Sequence, residues 1–426
     1  MIRLLILGLA FWASFSFAAE PYSWSQFRGD TQMGHSDETV PLKWSETENL
    51  KWKVDVPGKA WSSPIIHGDH IFITTAVVGE APAPTDSENK PDPKLAPLEL
   101  WAMAMNLEDG MTLWKTQVFE TVTGKMHKKN SHASPTPVYE DGKVYVHFGH
   151  HGTARLNAKS GAIEWRQDKF PYKPVHGGGS SPVIIEDKLI YSADAGEDPA
   201  IMALDKATGE LAWRTPRDIE VQKPFSFCTP LVIQRDGQPI VISPGSGAVF
   251  AYDPQTGKEI WRCRWGQGYS VTPRPVLAHG RIYASSGFDR ANLLAIETGG
   301  TGDVTDSHLK WKVEKLVPRE SSPIVVGDEI YMNDDKGIAT CMDAKTGAIH
   351  WQERISPDGG YSASPIYASG HLFFLNGEGV TTVIKPGKTF QKVGENSIGE
   401  FGLSSMAVIP GGFIHRTEKS LIRIGQ

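Results

Sequence analysis

Residues 181–192 read SPVIIEDKLIYS, and residues 201–214 read IMALDKATGELAWR. Four short apolar segments rich in β-branched residues are separated by turn residues, which is the pattern of β-strands in a meander. The unit ends on Trp213, which follows the turn Ala207-Thr208-Gly209-Glu210. We interpret it as a four-stranded antiparallel sheet, whose strands are named A, B, C and D in chain order.

The same unit recurs along most of the chain. The tryptophan of strand D returns at spacings of roughly 40 to 50 residues, the period of a propeller blade. Its positions are Trp114, Trp165, Trp213, Trp261, Trp311 and Trp351. Strand A opens with Ser-Pro or Thr-Pro, and a proline at the first strand residue costs no ladder hydrogen bond. These openings are Ser63-Pro64, Ser134-Pro135, Ser181-Pro182, Thr229-Pro230, Thr272-Pro273, Ser322-Pro323 and Ser364-Pro365.

An eighth unit begins near Ser404-Ser405-Met406 and ends at Leu421–Ile424 with only three strands. Leu50–Val54 carries its own tryptophan, Trp52, and belongs to no other unit. The sequence therefore predicts an all-β protein, an eight-bladed β-propeller of four-stranded antiparallel blades that is closed by the N-terminal strand joining the last blade. Blade 1 has a Pro-rich insertion over residues 77–97, blade 5 has a long C–D turn over residues 298–307, and blade 7 lacks its tryptophan.

The first residues have the pattern of an export signal. Arg3 is followed by the apolar run Leu4–Phe15, and Ser16-Phe17-Ala18 fits cleavage after Ala18. The run is too short for the alternative, a membrane anchor. We therefore expect a signal peptide over 1–18, an extended N-terminal arm over 19–40 and a single propeller domain over 41–426, located in the periplasm or outside the cell.

Charge and cysteine content limit the partners and the covalent chemistry. The net charge is −6, and the sequence has no basic stripe with interleaved aromatic residues, so we expect no nucleic-acid partner. No segment after the export signal could span a bilayer, so we expect no membrane span. Cys228 and Cys263 fall on opposite edges of blade 4, and Cys341 is far from both in the sequence. We expect three free thiols and a monomer.

The recurrent Asp-x-x-Thr-Gly turn followed by the strand D tryptophan resembles the tryptophan-docking repeat of quinoprotein alcohol dehydrogenases. The size and closure of the ring resemble the propeller of the outer-membrane assembly lipoprotein. The segments 24–29 (WSQFRG) and 129–135 (KNSHASP) are similar to secreted bacterial PQQ-repeat proteins. The resemblance implies a quinoprotein-like fold and leaves the activity open.

The long and chemically varied loops are B–C and D–A, which share one side of the ring, here named the loop-rich face. Function usually lies on such loops. The D–A loops place Trp61, His132, His176, Phe227, Tyr269, Arg319, Tyr361 and Phe401 before the A strands, and Arg274 lies close by in the sequence. From these residues we predict a ligand-binding mouth formed by Trp61, His132, His176, Tyr269, Arg274, Arg319 and Tyr361. The alternative is that these side chains only fill the channel.

Two further sets of residues are candidates for a metal or a cofactor. Six histidines cluster around blade 2, namely His127, His132, His147, His150, His151 and His176, but without a zinc-binding spacing, so we predict no metal site. Acids recur after the B strands at Asp194, Glu197, Asp198, Asp289, Asp334, Asp335 and Glu378. A quinone with calcium would require such carboxylates.

No catalytic set is recognisable in the sequence, so we predict an exported binding or scaffold module without cofactor that holds a protein, small-molecule or glycan ligand at the loop-rich face. One alternative is a PQQ-dependent dehydrogenase with calcium, and another is a polysaccharide-binding propeller.

Overall fold

The computed structural model describes residues 20–80, 95–356 and 359–425. Its strands form eight antiparallel sheets of four strands, the blades of a propeller, and two blades carry one additional short strand. The all-β, eight-bladed prediction is confirmed. The predicted signal peptide, residues 1–18, and most of the Pro-rich insertion of blade 1 lie outside the described residues.

The first four blades follow one another along the chain, and their strands are given in the order A to D. Blade 1 consists of Ile65–His67, His70–Val78, Pro97–Asn106 and Thr112–Val122. Blade 2 consists of Val138–Glu140, Lys143–His147, Thr153–Asn157 and Ile163–Gln167. Blade 3 consists of Val183–Ile185, Lys188–Ala193, Ala200–Asp205 and Leu211–Pro216. Blade 4 consists of Leu231–Arg235, Gln238–Gly245, Ala248–Tyr252 and Glu259–Arg264.

The remaining blades complete the ring. Blade 5 consists of Val276–Ala278, Arg281–Ser285, Leu293–Glu297 and Leu309–Val313. Blade 6 consists of Ile324–Val326, Glu329–Asn333, Ile338–Asp343 and Ile349–Arg354. Blade 7 consists of Ile366–Ala368, His371–Leu375, Val380–Ile384 and Lys392–Ser397. Blade 8 consists of Ala407–Ile409, Gly412–Arg416, Ser420–Gly425 and Leu50–Asp55.

Four short elements lie outside this scheme. Ser23–Trp24 pairs with strand A of blade 1, and Gly302–Asp303 pairs in parallel with strand D of blade 4. Gly149–His151 is a 3₁₀ turn, and Thr305–His308 is a single α-helical turn. These two are the helices of the described ranges. Neither is long and apolar enough to span a membrane.

Strand D of blade 8 comes from the opposite end of the chain from its three partners. Leu50–Asp55 pairs in antiparallel register with Ser420–Gly425, with Leu50 opposite Ile424 and Asp55 opposite Ser420. This pairing completes the eighth sheet and joins the two ends of the ring.

The repeated tryptophans pack against the neighbouring blade. The indole Nε1 of Trp114 donates to the carbonyl oxygen of Ala158 at 2.9 Å, and that of Trp213 donates to Pro254 at 2.9 Å. Five of the rings cover the glycine of the C–D turn in the next blade, namely those of Trp52, Trp114, Trp165, Trp213 and Trp311. A Cβ placed on Gly257, whose φ is +69°, would lie 2.5 Å from the Trp213 ring. The Thr-Gly turn and the tryptophan are therefore the two sides of one contact between blades.

Blade 7 lacks a docking tryptophan, and the closure of the ring explains why. Strands C and D of blade 8 come from different ends of the chain, so blade 8 has no C–D turn to receive an indole. Gly394 occupies the tryptophan position, opposite Val383 of strand C. Trp44 fills the space between blades 7 and 8 instead, with ring centroids 6.1 Å from Phe373 and 5.5 Å from Phe413.

A ring of hydrogen bonds joins the blades around the central channel. At seven of the eight junctions, the residue two positions before strand A donates its backbone N–H to the hydroxyl of the equivalent residue in the next blade. The eight residues in order are Ser63, Thr136, Ser181, Thr229, Arg274, Ser322, Ser364 and Ser405. The junction between blades 4 and 5 is the exception because Arg274 has no hydroxyl to accept the bond.

This ring corrects the predicted start of strand A in two blades. The equivalent positions are Thr136-Pro137 and Arg274-Pro275, two residues after the predicted Ser134-Pro135 and Thr272-Pro273. Both segments contain two X-Pro pairs in succession, so the sequence spacing alone cannot choose between them. The hydroxyl of the Ser/Thr-Pro motif is an acceptor for the preceding blade.

Residues 20–40, predicted as an extended arm, fold across the channel and are named the N-terminal plug. The chain turns at Arg28, Gly29, Gln32 and Gly34, whose φ values lie between +65° and +79°. The plug bonds to A strands and A–B turns around the ring: Ser23–Trp24 to blade 1, Ser25 to Tyr139, Gln32 to Val232, Ser36 to Tyr367 and Thr39 to Gly411. It therefore closes the channel at the end opposite the loop-rich face.

All three cysteines are described, buried and free, as predicted.

Candidate functional site

A cavity of about 680 Å³ occupies the channel on the loop-rich face. All eight D–A loops contribute to its wall, beginning with Trp61 before blade 1 and ending with Leu403 before blade 8. Phe27 of the N-terminal plug also lines the cavity. Because the plug closes the opposite end of the channel, a ligand enters the cavity from the loop-rich face.

The wall of the cavity changes in character from the inside outward. Phe27 lies at the inner end, followed by hydroxyls of the inter-blade ring, which are Ser63, Thr136, Ser181, Thr229, Ser364 and Ser405. The D–A and B–C loops add the aromatic rings of Trp61, Phe227, Tyr269 and Phe288. Lys128, Lys129, Arg319 and Glu320 supply the charges. The cavity thus combines apolar area with fixed hydroxyls and a mostly cationic rim.

Local contacts hold the aromatic rings in place. Trp61 donates its indole N–H to the carbonyl oxygen of Lys129 at 2.9 Å. Tyr269 lies edge-on to Phe288, with ring centroids 5.6 Å apart, and accepts a 3.0 Å hydrogen bond from Lys223. Arg319 stacks over Phe288 at 5.1 Å from the ring centroid. Rings whose orientation is fixed before binding lose little entropy when a ligand packs against them.

The charges of the rim are partly paired across the mouth. The Lys129 ammonium lies 2.8 Å from a carboxylate oxygen of Glu320, which connects the loops before blades 2 and 6. Glu320 also accepts a hydrogen bond from the hydroxyl of Ser362. Lys128 is exposed and forms no ion pair within the described part of the chain, so it is available to an acidic ligand group.

Four of the seven predicted mouth residues line the cavity: Trp61, His176, Tyr269 and Arg319. The predicted position of the other three was wrong. His132 is buried beneath the surface, with its Nδ1 3.4 Å from Nε2 of His151. Tyr361 is only 1% exposed and packs in the core between blades 6 and 7. Arg274 belongs to the hydroxyl ring by position and holds the N-terminal plug.

Distance from strand A does not decide these outcomes, because Arg319 and Tyr361 both precede the first residue of their A strand by five positions, yet Arg319 lines the cavity and Tyr361 does not. Successive residues of a strand or an extended loop point to opposite sides, so a residue next to the mouth in sequence can point into the inter-blade core. The sequence places a residue at the mouth by its distance from strand A, and that distance does not give the direction of the side chain.

The histidines form two separate ring contacts, a pair at the mouth and a buried group in which His151 contacts both His132 and His150. His127 and His176 meet edge to face at the mouth, with ring centroids 5.2 Å apart. His150 lies against His151, with ring centroids 3.9 Å apart. Burial lowers the pKa of His150 to about 4 and that of His151 to about 3, so both are neutral at pH 7. Within the described residues, no group of three or more His, Cys, Asp or Glu side chains has the arrangement of a metal site.

Of the acids that follow the B strands, Asp194, Asp334 and Asp335 form bonds within the scaffold. Asp194 is buried in an ion pair with Arg217, with Oδ1 2.5 Å from Nε. Asp334 accepts the backbone N–H groups of Lys336 and Ile338 in its own turn. Asp335 accepts the backbone N–H of Arg319, and burial raises its pKa to about 6.

A quinone with calcium would need several carboxylate or amide oxygens turned into the cavity. Glu320 is the only acid of the described residues on this wall, and Lys129 and Ser362 already bind it. The amide oxygen of Asn130 accepts hydrogen bonds from Ser131 and Ser134. The residues of the cavity therefore do not fit the quinone–calcium pair.

Sequence reasoning missed Phe27, Phe288, Lys128 and Glu320 as cavity residues. Phe288 is on the B–C loop of blade 5, a loop of the predicted face, so the loop assignment could have included it. Phe27 reaches the cavity from a segment that precedes the ring, and only its position among turn-forming residues hinted at a folded segment.

The comparisons with known proteins support the same architecture. A family model described as outer membrane protein assembly factor BamB matches residues 101–353 and 233–420. The protein of that name from Yersinia pestis is 26% identical over 280 residues, 63% of each chain. The quinohemoprotein alcohol dehydrogenase ADH-IIG of Pseudomonas putida is 28% identical over 189 residues, 40% of this chain and 24% of the enzyme. The chain thus spans less than two thirds of the curated relatives that it matches.

Two solved structures show how widely this fold is shared. BamB from Moraxella catarrhalis covers 88% of this chain and 97% of its own, with a TM-score of 0.59 and 14% identity. The quinohemoprotein alcohol dehydrogenase from Comamonas testosteroni covers 95% of this chain and 80% of its own, with a TM-score of 0.64 and 12% identity. At these identities the likeness concerns the fold, which BamB and a quinohemoprotein alcohol dehydrogenase have in common.

Proposed function

Because the chain belongs to the PQQ-repeat propeller family whose model is described as outer membrane protein assembly factor BamB, we propose that it is a non-catalytic binding module. It takes a segment of a partner protein into the cavity of its loop-rich face. It acts as a monomer outside the cytoplasm, in keeping with the export signal predicted from the sequence. The relatives named as assembly factors support a scaffold role, and the kind of partner is proposed here from the cavity.

The observation that carries the proposal is the composition of the cavity wall. Oriented aromatic rings stand beside backbone-bonded hydroxyls, and the acid on the wall is already bound to Lys129 and Ser362. A wall of this kind provides apolar area and hydrogen-bond partners for a peptide. The Ser362 hydroxyl donates to Glu320, but that carboxylate is paired with Lys129 and is therefore a weak base.

The rim narrows the chemistry of the partner segment. Lys128 has no ion-pair partner among the described residues, and Arg319 is held over the Phe288 ring. An aromatic or large aliphatic side chain would pack against Trp61. An adjacent carboxylate would meet Lys128, in the loop whose Lys129 carbonyl accepts the Trp61 indole N–H. The proposed partner segment is therefore an extended peptide that carries an apolar anchor next to an acidic residue.

A photo-crosslinking experiment tests this proposal. A benzophenone amino acid replaces Lys128 at the rim or, as the matched control, Lys345, which is in the C–D turn of blade 6 on the opposite face. In cells that naturally make the protein, Lys128 should give a discrete protein adduct and Lys345 should not. Trp61→Ala should reduce the yield of that adduct at least about tenfold, the effect of removing a binding hot spot.

Two results would contradict the proposal. One is an equal pattern of adducts from both positions, which would mean that the loop-rich face has no special role. The other is micromolar binding of PQQ in the presence of Ca²⁺, measured by calorimetry, together with alcohol oxidation. Specific retention of the protein on a glycan array, abolished by Trp61→Ala, would favour the alternative that the cavity binds a polysaccharide.

A further inference from the structure

The cavity of the loop-rich face is open at one end only. The N-terminal plug closes the inner end, where Phe27 lies on the wall. An extended peptide therefore cannot pass through, and it can enter only with one of its two ends or as a bent loop. A cavity of about 680 Å³ has the size of a small-molecule site, which corresponds to a few residues of peptide. The chemistry of the inner end decides which part of a partner reaches it.

The inter-blade hydroxyls at this end are donors without an acceptor. Five consecutive blades, from blade 8 through blades 1 to 4, each contribute one hydroxyl oxygen that accepts a backbone N–H of the preceding blade at 2.9–3.1 Å. None of these five hydroxyl protons has an acceptor among the described residues, and all five residues line the cavity. They form the hydroxyl arc, which consists of Ser405, Ser63, Thr136, Ser181 and Thr229. A hydroxyl that already accepts a hydrogen bond is polarised into a stronger donor, so the arc favours a group that only accepts.

Two buried positive charges lie behind the same end of the cavity. Arg274 donates to the carbonyl oxygen of Phe27 at 2.6 Å, and Arg28 is the next residue of the plug. Arg28 is 3% exposed, and Arg274 is fully buried. Burial lowers the pKa of each guanidinium to about 9, so both remain charged at pH 7, and no carboxylate of the described residues offsets either charge.

These charges act on the cavity through its wall. Neither arginine lines the cavity, but a wall of low dielectric constant transmits the field of buried charges and focuses it in a cleft. Glu320, which is the acid of the described residues on this wall, lies at the rim and is bound to Lys129. The inner end therefore attracts a carboxylate and repels an ammonium group.

We propose that the cavity captures the free C-terminus of the partner protein, with the terminal carboxylate at the hydroxyl arc and the last side chain against Phe27. This inference rests on the binding role proposed above and adds which end of the partner enters. A bent loop would bring backbone N–H groups, which are donors, to a wall that itself offers donors. An N-terminus would bring a positive charge toward Arg28 and Arg274. Convergent donors that hold a terminal carboxylate are one of the general modes of peptide recognition.

Three pools of randomised hexapeptides test which end enters, without any change to the protein. The first pool has an acetylated N-terminus and a free carboxylate, the second an acetylated N-terminus and a terminal carboxamide, and the third a free amine and a terminal carboxamide. On the immobilised whole protein, the first pool should be retained at least about tenfold more than the others, since charge-assisted hydrogen bonds are roughly twice as strong as neutral ones.

Equal retention of the carboxylate and carboxamide pools, or greater retention of the free-amine pool, would overturn the inference and leave peptide binding by the cavity standing. Retention of no pool would contradict the binding role itself and the inference with it.

A single charge in the hydroxyl arc gives a second readout. Ser405→Asp keeps a side-chain oxygen to accept the Ser364 N–H and adds a negative charge to the wall, so it should abolish the preference for the carboxylate pool. Ala207→Asp adds the same charge at an exposed position in the C–D turn of blade 3, on the opposite face, and should retain the preference. A preference that survives in Ser405→Asp, or one that is lost in both variants, would overturn the inference. If circular dichroism shows that Ser405→Asp does not fold, the three pools on the wild-type protein decide.

Discussion

Replacing Gly257 with alanine tests the contact on which the ring of blades depends. The change combines two penalties, because Gly257 has a φ of +69° and its Cβ would lie 2.5 Å from Cδ2 and Cε3 of Trp213. Gly280 is a matched control: its φ is +70° and a Cβ there would meet nothing within 4 Å. The backbone strain is the same in both variants, about 1–2 kcal/mol.

The difference between the variants measures the docking of the indole. Carbon atoms pack at about 3.5–4.0 Å, so Trp213 must move by roughly 1 Å, which weakens its 2.9 Å hydrogen bond to Pro254. Overpacking of this kind costs about 1–3 kcal/mol. We therefore expect Gly257→Ala to lower the free energy of unfolding by about 2–5 kcal/mol and Gly280→Ala by about 1–2 kcal/mol.

Equilibrium urea unfolding supplies the measurement, and a double-mutant cycle supplies the check. Trp213→Ala alone should cost about 3–5 kcal/mol. In that background Gly257→Ala should cost less than it does in the native background, since the indole is gone and only the Thr215 hydroxyl, 2.7 Å from the new Cβ, remains to be displaced. Equal losses for the two glycine variants in the native background would refute the docking explanation of the Thr-Gly turn.

Two further predictions concern the hydroxyl ring and the buried histidines. Ser181→Ala removes the acceptor of the Thr136 N–H, 2.9 Å away, and should lower the free energy of unfolding in urea by about 1–3 kcal/mol. Ser181→Thr keeps the hydroxyl and should lower it much less. Equal losses in the two variants would argue against the ring of hydrogen bonds. Burial lowers the pKa of His147 to about 3, against about 6.5 in an unfolded chain, so the unfolded state binds more protons and stability should fall as pH drops below 6.5. The loss attributable to His147 should reach about 2 kcal/mol at pH 5, and His147→Gln should flatten the profile between pH 7.5 and pH 5; an unchanged profile would contradict this account.

The sequence predicts the fold well because the fold repeats. Each strand D tryptophan and each Thr-Gly turn is a local pattern, and the regular spacing of these patterns is sufficient to count the blades. The missing tryptophan of blade 7 also follows from the architecture. Gly394 takes the tryptophan position at the junction of blades 7 and 8, where no C–D turn is present to receive an indole. Where two X-Pro pairs follow each other, as in Ser134-Pro135 and Thr136-Pro137, the spacing cannot show which pair precedes strand A, since both fit the start of a strand.

The cavity was predicted less completely because its wall depends on the directions of side chains and on segments that are distant from one another in the sequence. Trp61 and Tyr269 point into the cavity, whereas Tyr361 occupies a similar sequence position and points into the core. Phe27 joins the wall only because the N-terminal plug turns at four residues with positive φ. Such turns at non-glycine residues, as at Arg28 and Gln32, have a weak sequence signature.

The pairing of Leu50–Asp55 with Ser420–Gly425 has a consequence for biosynthesis. The first blade strand to leave the ribosome is among the last to find its partner, because that partner, Ser420–Gly425, follows all the other blade strands in the chain. Until then blades 1 to 7 must persist as an open arc, with one exposed flank at each extremity. Any variant that weakens the contacts within the arc should therefore reduce the yield of folded protein more than it reduces the stability of the finished ring.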